Sequence, residues 1–308
     1  TWMSGGRVMV NKKTWYAHMF RTQDGFTFPY KLSNSQVKHA REYSRKMFSG
    51  NQFKKATRPF EWILEHFAPV PDWDTPKGNS IGILYYTDNR LDDDIMHKCQ
   101  KALKDAVEGN RIVSVSLKKI DFGDNIVLDK EPGYLTMFEQ ILTGLKELET
   151  DIVFFAEHDV MYNKTHFAFR PTRSDVYYYN TNVWKVRWSD GHGLWTDDCR
   201  QLSGLCANRL TLIKHYEERY KRTKAKFDEL GNSRPFRDWI RKQGFEPGTH
   251  NRDERVDDLT AESWQSDEPI YDIRHDGNLT PSRWRKDEFR NQRYTRGWKE
   301  QEFAWIQS

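Results

Sequence analysis

Cysteine is scarce: Cys99, Cys199 and Cys206 are the three in 308 residues. Their spacing fits no metal-ligand pattern and no disulfide framework, which excludes a stapled or zinc-held scaffold and reads as free thiols in a reducing compartment. No run approaches the roughly 18 apolar residues that span a bilayer, so a transmembrane segment is not expected. No signal peptide opens the sequence, and a cytoplasmic location is expected. A chain opening at Thr1 rather than Met reads as processed or truncated. Charge of one sign is also lacking: 49 Lys and Arg against 45 Asp and Glu leave +4, too little to imply general polyanion binding. No internal repeat recurs at a fixed period. Two matches to the glycosylation sequon, at Asn163 and Asn278, are of a kind common by chance. What the chain has in plenty is aromatic: 12 Trp, 14 Tyr and 18 Phe. Such rings build cores, and they also build clefts that stack on sugars or bases.

The pattern changes near residue 78. Before it, "GGRVMVNKKTWYAHMF" alternates like a strand to His18, a basic helix-compatible stretch follows, and "FAPVPDWDTPKGNS" reads as a linker. After it, "IGILYYT", "RIVSVSL" and "DIVFFAE" read as strands separated by the helices "DDDIMHKCQKALKDAV" and "YLTMFEQILTGLKEL". Strands joined by helices of this length predict an α/β fold with a mostly parallel sheet flanked by helices. "DVYYYNTNVWKVRW" reads as strand-rich, "DGHGLWTDDCRQLSG" as a loop, and "NRLTLIKHYEERYKRTKAKF" as a strong helix. The stretch from 228 to 270 is polar and reads as irregular. The expected division is 1–78, 79–280 and a basic aromatic tail, 281–308.

The apolar run Ile152 to Ala156 stops abruptly at Glu157-His158-Asp159. Acids at a buried strand end are costly unless a metal, an Arg or Lys, or open solvent compensates them. Two carboxylates one residue apart share a face, and carboxylates are natural ligands for magnesium or manganese holding phosphates. In open sheets, ligands bind beyond the carboxyl ends of the strands, where Thr87, Asp88 and Asn89 also lie. His275, in "YDIRHDGNLT", precedes an Asp-Gly turn signal; alone, it reads equally as a hydrogen-bonded core or surface histidine.

The pattern from 81 to 159, the acidic triplet, "QLSGLCANRLTLIKHY" and "DIRHDGNLT" together resemble a nucleotide-sugar glycosyltransferase of the GT-A fold, family-two-like. The resemblance covers roughly residues 80 to 280. It implies a Rossmann-type sheet and a divalent metal, Mn2+ or Mg2+, on the diphosphate of the donor, held by Glu157, Asp159 and His275. Glu157 stands where such motifs usually carry Asp. The resemblance also places Thr87, Asn89, Asp121, Tyr134, Glu157 and Arg283 around the nucleotide sugar. It puts Trp195, Ser203 and Gly204 beside the acceptor. An inverting transfer needs a carboxylate base, and the interval the family uses for it holds Glu254, Asp253, Asp257 and Asp258, with Asp197 and Asp198 earlier. Glu254 is the first choice, against the plain reading of a solvated charge cluster.

The N-terminal "GGRVMVNKKTWYAH" resembles the closing segment of another family-two transferase domain, with His18 no longer catalytic. The tail interleaves Arg and Lys with Trp284, Phe289, Tyr294, Trp298 and Trp305, a composition able to serve nucleic acid, though Asp287, Glu288, Glu300 and Glu302 dilute it. A tail packed across the catalytic domain, or holding donor phosphates with Arg283 or Arg285, is expected before a DNA contact. Three functions are therefore expected in order: transfer of a sugar from a nucleoside diphosphate to a hydroxyl acceptor such as a glycan; the same transfer to modified bases in DNA; and a non-catalytic binding or scaffold module.

Overall fold

The computed structural model describes residues 80–197, 199–243, 246–249, 260–278, 281–289 and 295–307. The chain divides between Asp72 and Trp73, and the described residues all belong to the second unit. The readings made for residues 1–78, His18 included, lie outside the described residues.

Continuous apolar runs make strands covered on both faces, and β1 (Ile81–Thr87) is buried at all seven positions. It leads through α1 (Asp93–Ala106) to β2 (Arg111–Ser116), the short β3 (Asp124–Val127), α2 (Tyr134–Glu147) and β4 (Ile152–Glu157). Beyond the acidic turn come β5 (Val160–Met161), the single-turn α3 (Lys164–Phe167), β6 (Val176–Asn180), β7 (Val183–Arg187) and β8 (His192–Trp195). A 3-10 turn, Leu202–Gly204, precedes β9 (Leu205–Asn208), α4 (Arg209–Leu230) and α5 (Arg234–Gln243). The remaining described strands are β10 (Thr260–Trp264), β11 (Ile270–Arg274) and β12 (Lys299–Glu302).

Local chemistry explains the helix ends. Asp92 caps α1 by accepting from the Asp94 and Ile95 N–H groups, with Asp93 and Asp94 in the positive first turn and Lys104 in the last. Its buried stripe, Ile95, Cys99, Leu103 and Ala106, follows the helical spacing. Helix α2 lies close on the sheet because Gly144 lacks a Cβ, which would collide with Leu84 Cδ1. Along β4, Val153 and Phe155 enter the core under α2 and α4, while Ile152, Phe154 and Ala156 enter the core on the opposite face. Phe154 and Phe155 are fully buried, and each contributes about 1.5–3 kcal/mol.

The larger sheet has the order β10-β6-β9-β4-β1-β2-β3. Within it β9 alone runs antiparallel, to β4 on one side and β6 on the other. The chain winds from β1 to β2 and β3, then returns to β4 on the other side of β1. That reversal opens a crevice at the carboxyl ends of β1 and β4. A second sheet, ordered β12-β8-β7-β11-β5, grows from the strands that continue past this crevice. Thus the expected α/β architecture with a mostly parallel sheet is present.

Two segments differ from expectation. The stretch expected to be a loop holds β8 and the 3-10 turn; four residues are too few to show alternation, and Gly193 is under the Phe303 ring. The stretch expected to be irregular holds α5 and β10. Helix α5 buries only Phe236 and Ile240 among charges, and β10 is a polar edge strand, as exposed edges tend to be. Part of the tail also belongs to the fold. β12 pairs with β8, and Phe303 and Ile306 bury against Leu91, Ile95 and Cys99.

Candidate active site

The crevice widens into a cavity of about 680 Å³, within the size range of small-molecule sites. Its wall is drawn from Tyr86, Thr87 and Asp88 at the end of β1, the Glu157-His158-Asp159 turn after β4, and Tyr134 at the start of α2. Asp272, Arg274, His275 and Asn278 come from β11 and the turn behind it, Lys185 from β7, and Arg283 and Trp284 from the tail. Gln140 fixes the floor: its buried amide donates to the Thr87 carbonyl at 2.8 Å and the Val115 carbonyl at 3.0 Å.

The carboxylates have different surroundings. Register sets Glu157 opposite Tyr86, whose hydroxyl donates to Glu157 Oε1 at 2.7 Å. Burial, with the charge of Asp159 behind it, pushes Glu157 up to about 8. Burial also works to raise Asp159, but His275, His158 and Arg274 outweigh it and hold that carboxyl below its usual range. Asn278 Nδ2 donates to Asp159 Oδ2 at 2.7 Å, and the His275 N–H donates to Asn278 Oδ1 at 2.6 Å. One asparagine therefore locks the turn after β11 onto the acid. Asp272 is buried and raised, first by burial, against the lowering pull of Arg274, whose Nη1 lies 3.3 Å from its Oδ1. Lys185 is paired with Asp272 in register and lies on the same face.

The fit to a divalent cation can be tested on these atoms. Asp159 Oδ2 and His275 Nε2 are 3.5 Å apart, and Nε2 is buried with no hydrogen-bond partner among the described residues. Among the described residues, no three of His, Cys, Asp and Glu gather closely enough to enclose an ion. One carboxylate beside one imidazole suits magnesium or manganese when phosphate oxygens and water supply the remaining ligands. The pair thus fits a cation that arrives with a phosphate ligand. The Gly277 N–H donates to His275 Nδ1 at 3.1 Å, so the neutral ring carries its proton on Nε2. Ligation through Nε2 would move that proton to Nδ1 and release the Gly277 contact.

Of the residues expected at the site, Thr87, Tyr134, Glu157, Asp159, His275 and Arg283 line the cavity together. Thr87 does so with its hydroxyl engaged, 2.7 Å from His158 Nδ1. Asn89 turns away: its side-chain Oδ1 accepts from the Leu117 and Lys118 N–H groups at 2.8 and 2.9 Å. Asp121 is exposed in the loop after β2 and does not line the cavity. Trp195 sits half-buried in β8, outside the cavity lining, with the Lys299 ammonium 4.3 Å from its ring centre. Ser203 and Gly204 are buried in the 3-10 turn. The Ser203 hydroxyl accepts from Gln201 at 2.6 Å, its carbonyl accepts from Tyr162 at 3.1 Å, and a Cβ on Gly204 would lie 2.6 Å from the Asn180 carbonyl. Neither lines the cavity, whereas their neighbours Gln201 and Leu202 do. Glu254, Asp253, Asp257, Asp258 and Asp198 lie outside the described residues, and Asp197 is exposed and off the cavity.

Sequence reasoning missed His158, Lys185, Asp272, Arg274 and Asn278. A signal existed for two of them: Asp272 and Arg274 interrupt an apolar strand at period two, which puts opposite charges on one buried face. Lys185 carried no such mark.

No protein-family model and no curated protein matches the chain. Among solved structures, similarity is found to a glycosyltransferase involved in the glycosylation of the major capsid of PBCV-1, at 10% identity and TM-score 0.36, over 62% of this chain and 92% of that one. It is also found to the mannosyltransferase PcManGT from Pyrobaculum calidifontis in complex with GDP-Man and Mn2+, at 11% identity and TM-score 0.34, over 82% and 71% of the two chains. S. aureus TarS gives 9% identity and TM-score 0.29, over 63% and 36%. Likenesses of this size transfer no activity, so function has to be argued from the chain's own residues.

Proposed function

We propose that the cavity binds a nucleoside-diphosphate sugar with Mn2+ or Mg2+ and passes the sugar to a hydroxyl acceptor, a glycan or similar. The observation that carries this reading is the Asp159–His275 pair, 3.5 Å apart in a cavity at the carboxyl ends of β1 and β4. Asp159 is held ionised against burial by His275, His158 and Arg274, as a cation ligand requires. When bound, the cation would neutralise charge on the leaving diphosphate. Lys185 and Arg283 line the same cavity and supply positive charge of their own toward phosphate oxygens. Tyr134 offers an aromatic face for a base or sugar ring. Removal of the acceptor proton is assigned to Glu254, with Asp253 and Asp257 as the other candidates. In the tail, Arg283, Lys286 and Lys299 lie over the Phe289, Trp298 and Trp195 rings. Those faces are engaged by the chain's own cations, and a DNA acceptor is kept as the alternative reading.

A thermal-shift screen of nucleoside-diphosphate sugars, with Mn2+ or with chelator, tests the reading. A donor at about a hundred times its Kd stabilises the native state by about 2.7 kcal/mol. The Mn2+-dependent part of that gain is expected to vanish in Asp159→Asn. If no sugar nucleotide raises the melting temperature under either condition, the proposal fails.

A further inference from the structure

His158 stands between the two acids and lines the cavity, and one of its ring nitrogens is already committed. The commitment begins at Asn89. Its backbone is held in the left-handed region, φ 58°, by the two hydrogen bonds that its side-chain oxygen accepts from the exit of β2. This conformation aims the Asn89 N–H at Thr87 Oγ1, 3.1 Å away. Thr87 is only 2% exposed, and its hydroxyl has a single proton to give. His158 Nδ1 lies 2.7 Å from that oxygen. Were Nδ1 protonated, it would donate to the oxygen, and the buried hydroxyl proton would have no acceptor among the described residues. An unmet buried donor is costly. Thr87 therefore donates to Nδ1, and the neutral ring carries its proton on Nε2.

That N–H makes no hydrogen bond among the described residues, and the same wall carries Lys185, Arg274 and Arg283 besides the Glu157 and Asp159 carboxylates. A fixed N–H donor on a wall that also carries cations suits an anionic oxygen that can only accept. We propose that His158 is a substrate-binding residue donating its Nε2–H to a non-bridging phosphate oxygen, and that Thr87 is the positioning residue that fixes its tautomer. The assignment rests on the donor reading of the same cavity, but its chemistry concerns the diphosphate alone.

Two measurements test it. Two-bond 1H–15N spectra of histidine-labelled protein report which nitrogen carries the proton. The Nε2–H form is expected in the wild type, with a tautomer mixture in Thr87→Val and recovery in Thr87→Ser. Calorimetric titration with inorganic pyrophosphate in Mn2+ reads the contact itself. His158→Ala is expected to weaken binding about ten- to hundredfold, as for loss of one hydrogen bond to a charged acceptor. His158→Gln, which keeps an N–H, should recover much of it, and Thr87→Val should lose less than His158→Ala. A wild-type Nδ1–H tautomer overturns the proposal, as does pyrophosphate that fails to bind. So does a His158→Ala variant that binds pyrophosphate normally while losing affinity for uridine or guanosine, which would move the contact to ribose or base. Pyrophosphate binding that depends on His158, without turnover of any sugar nucleotide, would sink the transferase reading and leave this one standing. Turnover with unchanged pyrophosphate affinity in His158→Ala does the reverse.

Discussion

Glu157→Gln should make the metal-free protein more stable at alkaline pH. In the folded chain burial and the Asp159 charge raise the Glu157 carboxyl from 4.5 to about 8. Between those values the folded state holds a proton that the unfolded state has lost, so stability falls as pH rises across the window and stays low above it. The window is roughly 3.5 pH units wide, and at about 1.36 kcal/mol per unit the single-group ceiling is about 5 kcal/mol. Glu157 is half-buried and shares its field with Asp159 and Asp272, which brings the expectation to about 2–4 kcal/mol. Glutamine keeps an oxygen for the Tyr86 hydroxyl and cannot ionise, so the variant lacks this slope. The assay is urea unfolding followed by tryptophan fluorescence, at pH 5 and pH 9 with chelator. The two proteins should differ little at pH 5, and the variant should lead by about 2–4 kcal/mol at pH 9. Parallel stability profiles would refute the reasoning, because they would mean that Glu157 ionises in the fold as freely as it does in the open chain. Adding Mn2+ at pH 9 should then restore the wild type more than the variant, since only the wild type has a repulsion to relieve.

Glu246→Gln should cost about 3 kcal/mol in chemical denaturation, because Glu246 is fully buried between His215 and Tyr216 and its loss leaves cationic groups there uncompensated. The same carboxyl is held below its usual range, burial working upward and His215 and Arg219 winning, so its contribution is present above the ordinary value of 4.5 and is lost as pH falls through the depressed one. Gly204→Ala should lower stability by about 1–3 kcal/mol, since the added methyl would meet the Asn180 carbonyl at 2.6 Å; a loss of acceptor affinity at unchanged melting temperature would return Gly204 to the acceptor side. Asn89→Ala should destabilise by about 1–3 kcal/mol through two unpaired N–H groups and a strained φ, with pyrophosphate affinity falling as Thr87 loses its setting.

How much of this was legible depends on whether a role is written along the chain or across it. Runs such as "IGILYYT" and "DIVFFAE" announce covered strands because burial on both faces leaves no room for polar residues. Acids at the end of such a run are visible for the same reason: they break it. His275 could be singled out only through the family resemblance, since alone it reads as an ordinary core or surface histidine, and Asn278, which joins its turn to Asp159, looked like part of a sequon. Strand β8 and the polar edge β10 were hidden because a four-residue strand shows no period and an exposed edge has no apolar face to display.

Thr87 shows the distinction most clearly. Its place at the end of β1 marked it as a ligand-facing residue, and the cavity does touch it. Whether its hydroxyl is available is another matter, and that is decided 71 residues away by His158 and two residues away by an asparagine in a left-handed turn. Position along a strand can be read from one chain. Proton direction depends on three segments meeting, and no spacing encodes it. The same holds for Glu157 and Asp159, which alternate alike on one strand end yet differ in charge state. One faces a tyrosine hydroxyl and the other a histidine, an asparagine and the field of an arginine. An ion entering with a phosphate ligand meets one acid already charged and one that must give up its proton. Donor binding should therefore release close to one proton near pH 7 if Glu157 joins the ligand set, and none if it stays with Tyr86. Calorimetry in buffers of different ionisation enthalpy counts that proton directly, and it decides between a two-residue and a three-residue grip on the cation.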